Sequence, residues 1–103
     1  MRNRKRPPSH PGCILKAHYI EPLSLTITDL SRNLKVSRKT VSKIVNGRGA
    51  ITSDIALRLG KAFGTTPELW LNLQTNYDLW HTANETKDWR SIEPIGIVAE
   101  SSA

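Results

Sequence analysis

The sequence is poor in cysteine, and its one cysteine, Cys13, cannot form an intramolecular disulfide. A chain without disulfides is typical of a reducing compartment, so we expect a cytoplasmic protein. The sequence also lacks any run of about 18 apolar residues, and we therefore expect no membrane-spanning helix. No apolar stretch follows the basic N-terminus, so a signal peptide is not expected either. At 103 residues the chain suits one domain with a small core.

Residues that catalyse reactions or bind metals are equally sparse. His10, His18 and His81 are far apart and have no cysteine or acidic partner at metal-ligand spacing. No carboxylates are paired as an acid and a base, and no glycine-rich loop has the phosphate-binding pattern. We therefore expect no metal, no cofactor and no enzymatic activity, with Cys13 as a small buried apolar side chain.

Acidic residues are scarce in the first half of the chain. Residues 1–48 contain 11 lysines and arginines against 2 acidic residues, a balance of +9, whereas residues 49–103 contain 4 against 7, a balance of −3. The first half is suited to a polyanion, and the second resembles an ordinary or a protein-binding surface. Residues 1–9 are predicted to be a flexible basic arm. The arm contains four cations, Arg2, Arg4, Lys5 and Arg6. They either contact phosphates or a minor groove, or they contribute only diffuse charge.

Residues 26–47 have the pattern of two short helices joined by a tight turn. Thr26 and Asp29 have the spacing of a capping box, and Ser37 is placed to cap the second helix. Apolar residues recur at the helical spacing that buries one face of each helix. The predicted inward positions are Leu30, Leu34, Val36, Val41, Ile44 and Val45.

The outward side of the second helix is basic. Arg38, Lys39 and Lys43 lie there, together with Thr40 and Ser42. A helix of about ten residues with three cations on its free side suits the major groove of DNA.

This segment resembles the helix-turn-helix of the Cro/CI-type repressor family. Two residues depart from the common form: Ser31 replaces the usual alanine, and Lys35 replaces the usual glycine of the turn. The turn often needs a positive φ, which carries strain in a residue other than glycine. The matching positions are Leu30, Ser31, Leu34, Lys35, Val36, Val41 and Ile44.

Three further helices are predicted, which makes the fold class all-α: a five-helix bundle of the lambda-repressor type. One begins at His10 and stops before Pro22, one follows the cap Thr52 and ends at Gly64, and one runs from Pro67 to about Trp80. Residues 10–80 are thus the DNA-binding domain. Residues 81–103 form a tail that is either extended or helical.

The fifth helix is predicted to pack on two sides. Its apolar residues from Leu69 to Trp80 mostly share one arc of about 100°, but Leu71 and Leu79 fall outside it. A second subunit or the folded-back tail would cover them, and we favour a homodimer through Trp70, Leu71 and Leu79.

Beyond the helix-turn-helix, a longer part of the chain, about residues 8–80, resembles the HigA-type antitoxins. The block FGTTPELWLNLQ at residues 63–74 is the most specific part of it. The other matching blocks are residues 10–12, 21–23, 36–38, 46–47, 51–52, 56–59 and 77–80. The resemblance implies a nucleoid-associated repressor that binds a palindromic operator as a homodimer. It also implies neutralisation of a HigB toxin of the RelE class, an mRNA-cleaving ribonuclease.

The resemblance further implies which residues contact DNA. The base-reading residues fall on Arg38, Lys39 and Lys43, with Thr40 and Ser42 near them. The phosphate-binding residues fall on Ser37, Thr26, Thr28, Asn46 and Arg48. Two alternatives remain: a stand-alone repressor without a toxin, and a module whose basic half binds an acidic protein.

Overall fold

The computed structural model describes residues 7–96, and within them the chain forms five α-helices and no β-strand. The all-α prediction with a central helix-turn-helix is confirmed. No helix in this part of the chain combines the length and apolarity needed to cross a membrane. The four arm cations and residues 97–103 of the tail lie outside the described residues. The helices are α1 (Pro11–Leu15), α2 (Ile27–Leu34), α3 (Arg38–Val45), α4 (Ser53–Phe63) and α5 (Pro67–Glu85).

Two helices differ from their predicted form. The first continues beyond α1 as a π-helical segment, Lys16–Ile20, which the sequence did not predict. The fifth ends at Glu85 instead of Trp80, because no proline or glycine follows Trp80 to stop it. Residues 81–85 of the predicted tail therefore belong to α5, and Asp88–Ser91 form a short 3₁₀ turn after it.

Helix starts are fixed by local hydrogen bonds. The predicted caps Thr26, Ser37 and Thr52 each accept a hydrogen bond from the backbone amide three residues later, and so does Thr66 at the start of α5. Each cap satisfies an amide that has no partner inside its helix. The sequence therefore specifies the first residues of four helices, α2, α3, α4 and α5.

Trp70 lies in the core of the protomer. Its side chain is 0% exposed, its ring packs against that of Tyr19, and its Nε1 donates to Thr65 Oγ1 at 2.8 Å. A side chain without exposed surface cannot contact a second subunit, so the assignment of Trp70 to a dimer interface is wrong. The buried core consists of Leu15, Ile20, Leu30, Leu34, Val41, Ile44, Ile51, Ile55, Ala56, Leu59 and Trp70.

Helix α1 packs on α3 with the side that contains Gly12. Gly12 packs so closely on α3 that a Cβ there would overlap the carbonyl oxygen of Ile44. This contact turns Pro11, Gly12 and Leu15 inward and leaves Cys13 exposed. The prediction of a buried Cys13 is therefore wrong.

The turn between α2 and α3 has the strained residue that the sequence suggested. Lys35 has a φ of 59° in the left-handed region. Arg58 of α4 supports this turn, because its Nη1 donates to the carbonyl oxygens of Leu34 at 2.7 Å and Lys35 at 3.2 Å. Its Nε is paired with Asp54 Oδ2 at 2.8 Å. Helix α4 thus holds the C-terminal carbonyls of α2 in place.

We predict that Lys35→Gly raises the free energy of unfolding by about 0.5–1 kcal/mol, because glycine adopts a positive φ without steric strain. Urea denaturation measures the change. Lys35→Ala is the matched control, since it removes the charge but keeps the Cβ, and it should give no increase. Equal stabilisation by both variants would show that charge, and not backbone strain, is the cause.

Candidate nucleic-acid interface

Helix α3 has one buried side and one basic, exposed side. It packs on α1 and α2 through the buried side chains of Val41 and Ile44. Arg38, Lys39 and Lys43 are exposed on the opposite side. None of the ion pairs formed within residues 7–96 involves these three cations. Their charges are available to an external anion.

The first turn of α3 carries two hydroxyls that bond to each other. Ser37 Oγ accepts from the backbone amide of Thr40 at 3.1 Å, and the two side-chain oxygens are 2.9 Å apart. Both residues lie where the sequence placed them, at the end of α3 nearest the turn. Only one hydroxyl hydrogen is used between the two side chains, so the pair keeps a donor for a phosphate or a base edge.

The N-terminus of α2 lies beside α3 and contains Thr26 and Thr28. Thr26 and Asp29 form the predicted capping box, with bonds of 2.9 Å to the Asp29 amide and 3.1 Å to the Thr26 amide. The amide and hydroxyl of Thr26, and more weakly Arg32, hold the pKa of Asp29 below its ordinary value. Thr26 is exposed and Thr28 is half-buried. A concave surface lined by Ile27, Arg38, Lys39 and Ser42 joins the α2 N-terminus to α3.

The loop after α3 holds the remaining predicted residues. Asn46 Nδ2 donates to Ser42 Oγ at 3.3 Å, and the amides of Arg48 and Gly49 donate to the Lys43 carbonyl at 2.8 and 3.0 Å. These bonds hold the exposed Arg48 next to the end of α3. The ten predicted DNA-binding residues therefore lie on three adjacent parts of the chain: the start of α2, the outer side of α3 and this loop.

Gln74 helps to position the interface, and this role was not predicted from the sequence. Its buried Oε1 accepts from the amide of Ile51 at 2.7 Å, and its Nε2 donates to Asp78 Oδ1 at 3.0 Å. The bond ties α5 to the loop between α3 and α4. Gln74 follows Trp70 by four residues and so lies about 40° from it around the helix. A polar residue on the same side of the helix as a large apolar side chain, Trp70, is the sequence feature that could have indicated this role of Gln74.

His10 is a second supporting residue that the sequence did not reveal. Its Nδ1 caps α1 by accepting a hydrogen bond from the Gly12 amide at 2.8 Å. Its ring packs edge-on against that of Tyr77 on α5, with the two ring centroids 4.9 Å apart. Burial lowers the pKa of His10, while a hydrogen bond with the Gly49 backbone and the charge of Asp78 raise it less strongly. The neutral form suits a nitrogen that accepts from an amide. His10 thus connects α1, α5 and the loop after α3.

Comparison with known proteins agrees with this geometry. Residues 17–70 match the family model described as helix-turn-helix. The chain is 47% identical over 90 residues to an HTH-type transcriptional regulator of Haemophilus influenzae, covering 87% of this chain and 84% of the relative. It is 39% identical over 104 residues to the antitoxin HigA-1 of Vibrio cholerae, covering 100% of this chain and 98% of the relative.

A solved structure shows the same fold on DNA. The Pseudomonas aeruginosa antitoxin HigA with the higBA promoter superposes with a TM-score of 0.78 at 39% identity, over 85% of this chain and 98% of that one. The family model spans more than half of the chain, and its central helix pair is α2 and α3. The protein belongs to the helix-turn-helix family of DNA-binding proteins, in the branch that contains the HigA antitoxins.

Proposed function

We propose that the protein is a cytoplasmic, nucleoid-associated repressor that binds a palindromic operator as a homodimer, and that it is also the antitoxin of a small HigB/RelE-type toxin. It acts by binding and not by catalysis. The observation that carries the proposal is the outer side of α3, where Arg38, Lys39 and Lys43 are exposed and take part in none of the ion pairs within residues 7–96. A relative of the same fold, the Pseudomonas aeruginosa antitoxin HigA, was solved with promoter DNA, and this supports DNA binding by the present chain.

The contacts divide between bases and backbone. Arg38, Lys39 and Lys43 are assigned to guanine O6 and N7 in the major groove, which discriminate bases by about 1–3 kcal/mol for each good bidentate pair. Thr40 and Ser42 lie beside them and assist. Phosphate contacts fix the position of the protein on the duplex without reading sequence, and they are assigned to Ser37, Thr26, Thr28, Asn46 and Arg48.

We predict that Lys43→Ala weakens binding to the protein's own promoter by about fivefold or more, because one base-reading cation is lost. The slope of log K against log salt should become shallower by about 1 if Lys43 also displaces a counterion. Fluorescence anisotropy at several salt concentrations measures both quantities. Lys61→Ala is the matched control: it removes an exposed cation from α4 and should change neither. Unchanged binding by Lys43→Ala would favour the alternative of an acidic protein partner.

The proposed dimer interface lies on the outer side of α5. Leu71 is half-buried against the core, whereas Leu79 is 64% exposed. Trp89 of the tail lies beside Leu79. Its Nε1 donates to the Ala83 carbonyl at 3.4 Å, and its ring lines a shallow cavity with Leu79. Trp89 itself remains 48% exposed. The surface left open supports contact with a second subunit, which would place two copies of α3 about 34–36 Å apart on successive major grooves.

We predict that Leu79→Glu shifts the protein from dimer to monomer, since a charge would be buried without a partner in the interface. Analytical ultracentrifugation at micromolar concentration measures the assembly state, and circular dichroism checks folding. Leu57→Glu is the control, because Leu57 on α4 is similarly exposed, at 60%, and lies away from α5's outer side. A dimer that persists in Leu79→Glu would contradict this interface.

The antitoxin role rests on the HigA relatives, and a stand-alone repressor is the alternative. The two differ in whether the protein binds the product of a neighbouring small gene. We predict that this product copurifies with the full chain and that its mRNA cleavage stops in the complex. A chain shortened after Thr86 tests whether the tail takes part. Absence of a neighbouring toxin gene, or of a complex, would leave the repressor role alone.

A further inference from the structure

An apolar side chain interrupts the basic surface at the start of α2. Ile27 is the first residue of that helix and directly follows the cap Thr26. It packs partly against the core, and the rest of it lines the concave surface that it shares with Arg38, Lys39 and Ser42. The other three lining residues are cations and a hydroxyl, so Ile27 supplies the apolar side chain of this concave surface.

We propose that Ile27 is a specificity residue that recognises the 5-methyl group of a thymine in the operator. The inference rests on the proposed DNA binding through α3. The major-groove edges of the bases carry hydrogen-bonding groups and one kind of apolar group, the thymine methyl. An aliphatic side chain between base-reading cations has this methyl group as its matching partner in the groove.

The geometry also places the thymine relative to the guanine contacts. Arg38 and Ser42 are four residues apart, so they lie on one side of α3, and Ile27 approaches that side from α2. Lys43 does not line the concave surface. The thymine therefore lies next to a guanine read by Arg38 or Lys39, on the side of the recognition helix that faces α2. Each half-site should contain this pair once.

The experiment exchanges single thymines for deoxyuridine in the promoter segment protected by the protein. The exchange removes one methyl group and leaves every hydrogen-bonding group unchanged. We expect one position in each half-site at which the wild-type protein binds the uridine duplex about fourfold more weakly than the thymine duplex. This factor corresponds to a free energy of about 0.8 kcal/mol, the value for burying one methyl group. The ratio of the two affinities is the measured quantity.

Substitutions of Ile27 then assign the ratio to this side chain. In Ile27→Ala the ratio should fall to about 1, and in Ile27→Val it should be intermediate. Leu25→Ala is the matched control, because Leu25 is also half-buried against the core but does not line this concave surface, and its ratio should stay at the wild-type value. A loss of folding stability lowers both affinities equally and leaves the ratio unchanged.

Two results would overturn the inference: a wild-type protein that no uridine exchange weakens, or an Ile27→Ala variant that keeps the wild-type ratio. Both leave the proposed function intact, because the thymine-containing promoter is still bound. Failure of the wild-type protein to bind that promoter at all would instead count against the proposed function and, with it, against this role of Ile27.

Discussion

The recognition helix, α3, is too short to be stable without the helices packed against it. Helix α3 has eight residues, and a helix of that length is not stable in water by itself. It exists because Val41 and Ile44 are buried against α1 and α2. The close contact between Gly12 and the Ile44 carbonyl allows α1 to approach it. The DNA-binding helix is therefore stable only because it is packed against the core.

Polar side chains from distant helices fix the segments at either end of α3. Arg58 holds the carbonyls of the preceding turn, and Gln74 holds the amide of Ile51 in the following loop. These bonds connect partners that are far apart in sequence, so they form only once the helices have packed. They fix the position of α3 without using any of the cations on its outer side.

Helix α5 links the proposed DNA-binding and dimerisation surfaces. Its N-terminal half is anchored in the core by Trp70, and Gln74 connects it to the loop after α3. Its C-terminal half leaves Leu79 exposed. A partner bound through Leu79 would therefore be rigidly coupled to the position of α3, as the spacing of two half-sites requires.

The sequence determined the features that arise within a few residues of each other. The caps at Thr26, Ser37, Thr52 and Thr66, the buried positions of α2 and α3, and the cations outside α3 all follow from local hydrogen bonds and helical periodicity. The positive φ at Lys35 belongs to the same group, because a tight turn between two helices demands it.

The tertiary structure decided which predicted surfaces are covered, and by what. Periodicity shows that residues share a side of a helix, but it does not show the neighbour on that side. Trp70 was therefore assigned to an interface although it lies in the core, and Cys13 was expected to be buried although it is exposed. The backbone partners of Arg58 and Gln74, at Leu34 and Ile51, are 24 and 23 residues away, a distance over which no local pattern in the sequence specifies contact. Only the packing of α4 on α2 and of α5 on α1 and α4 brings those atoms together.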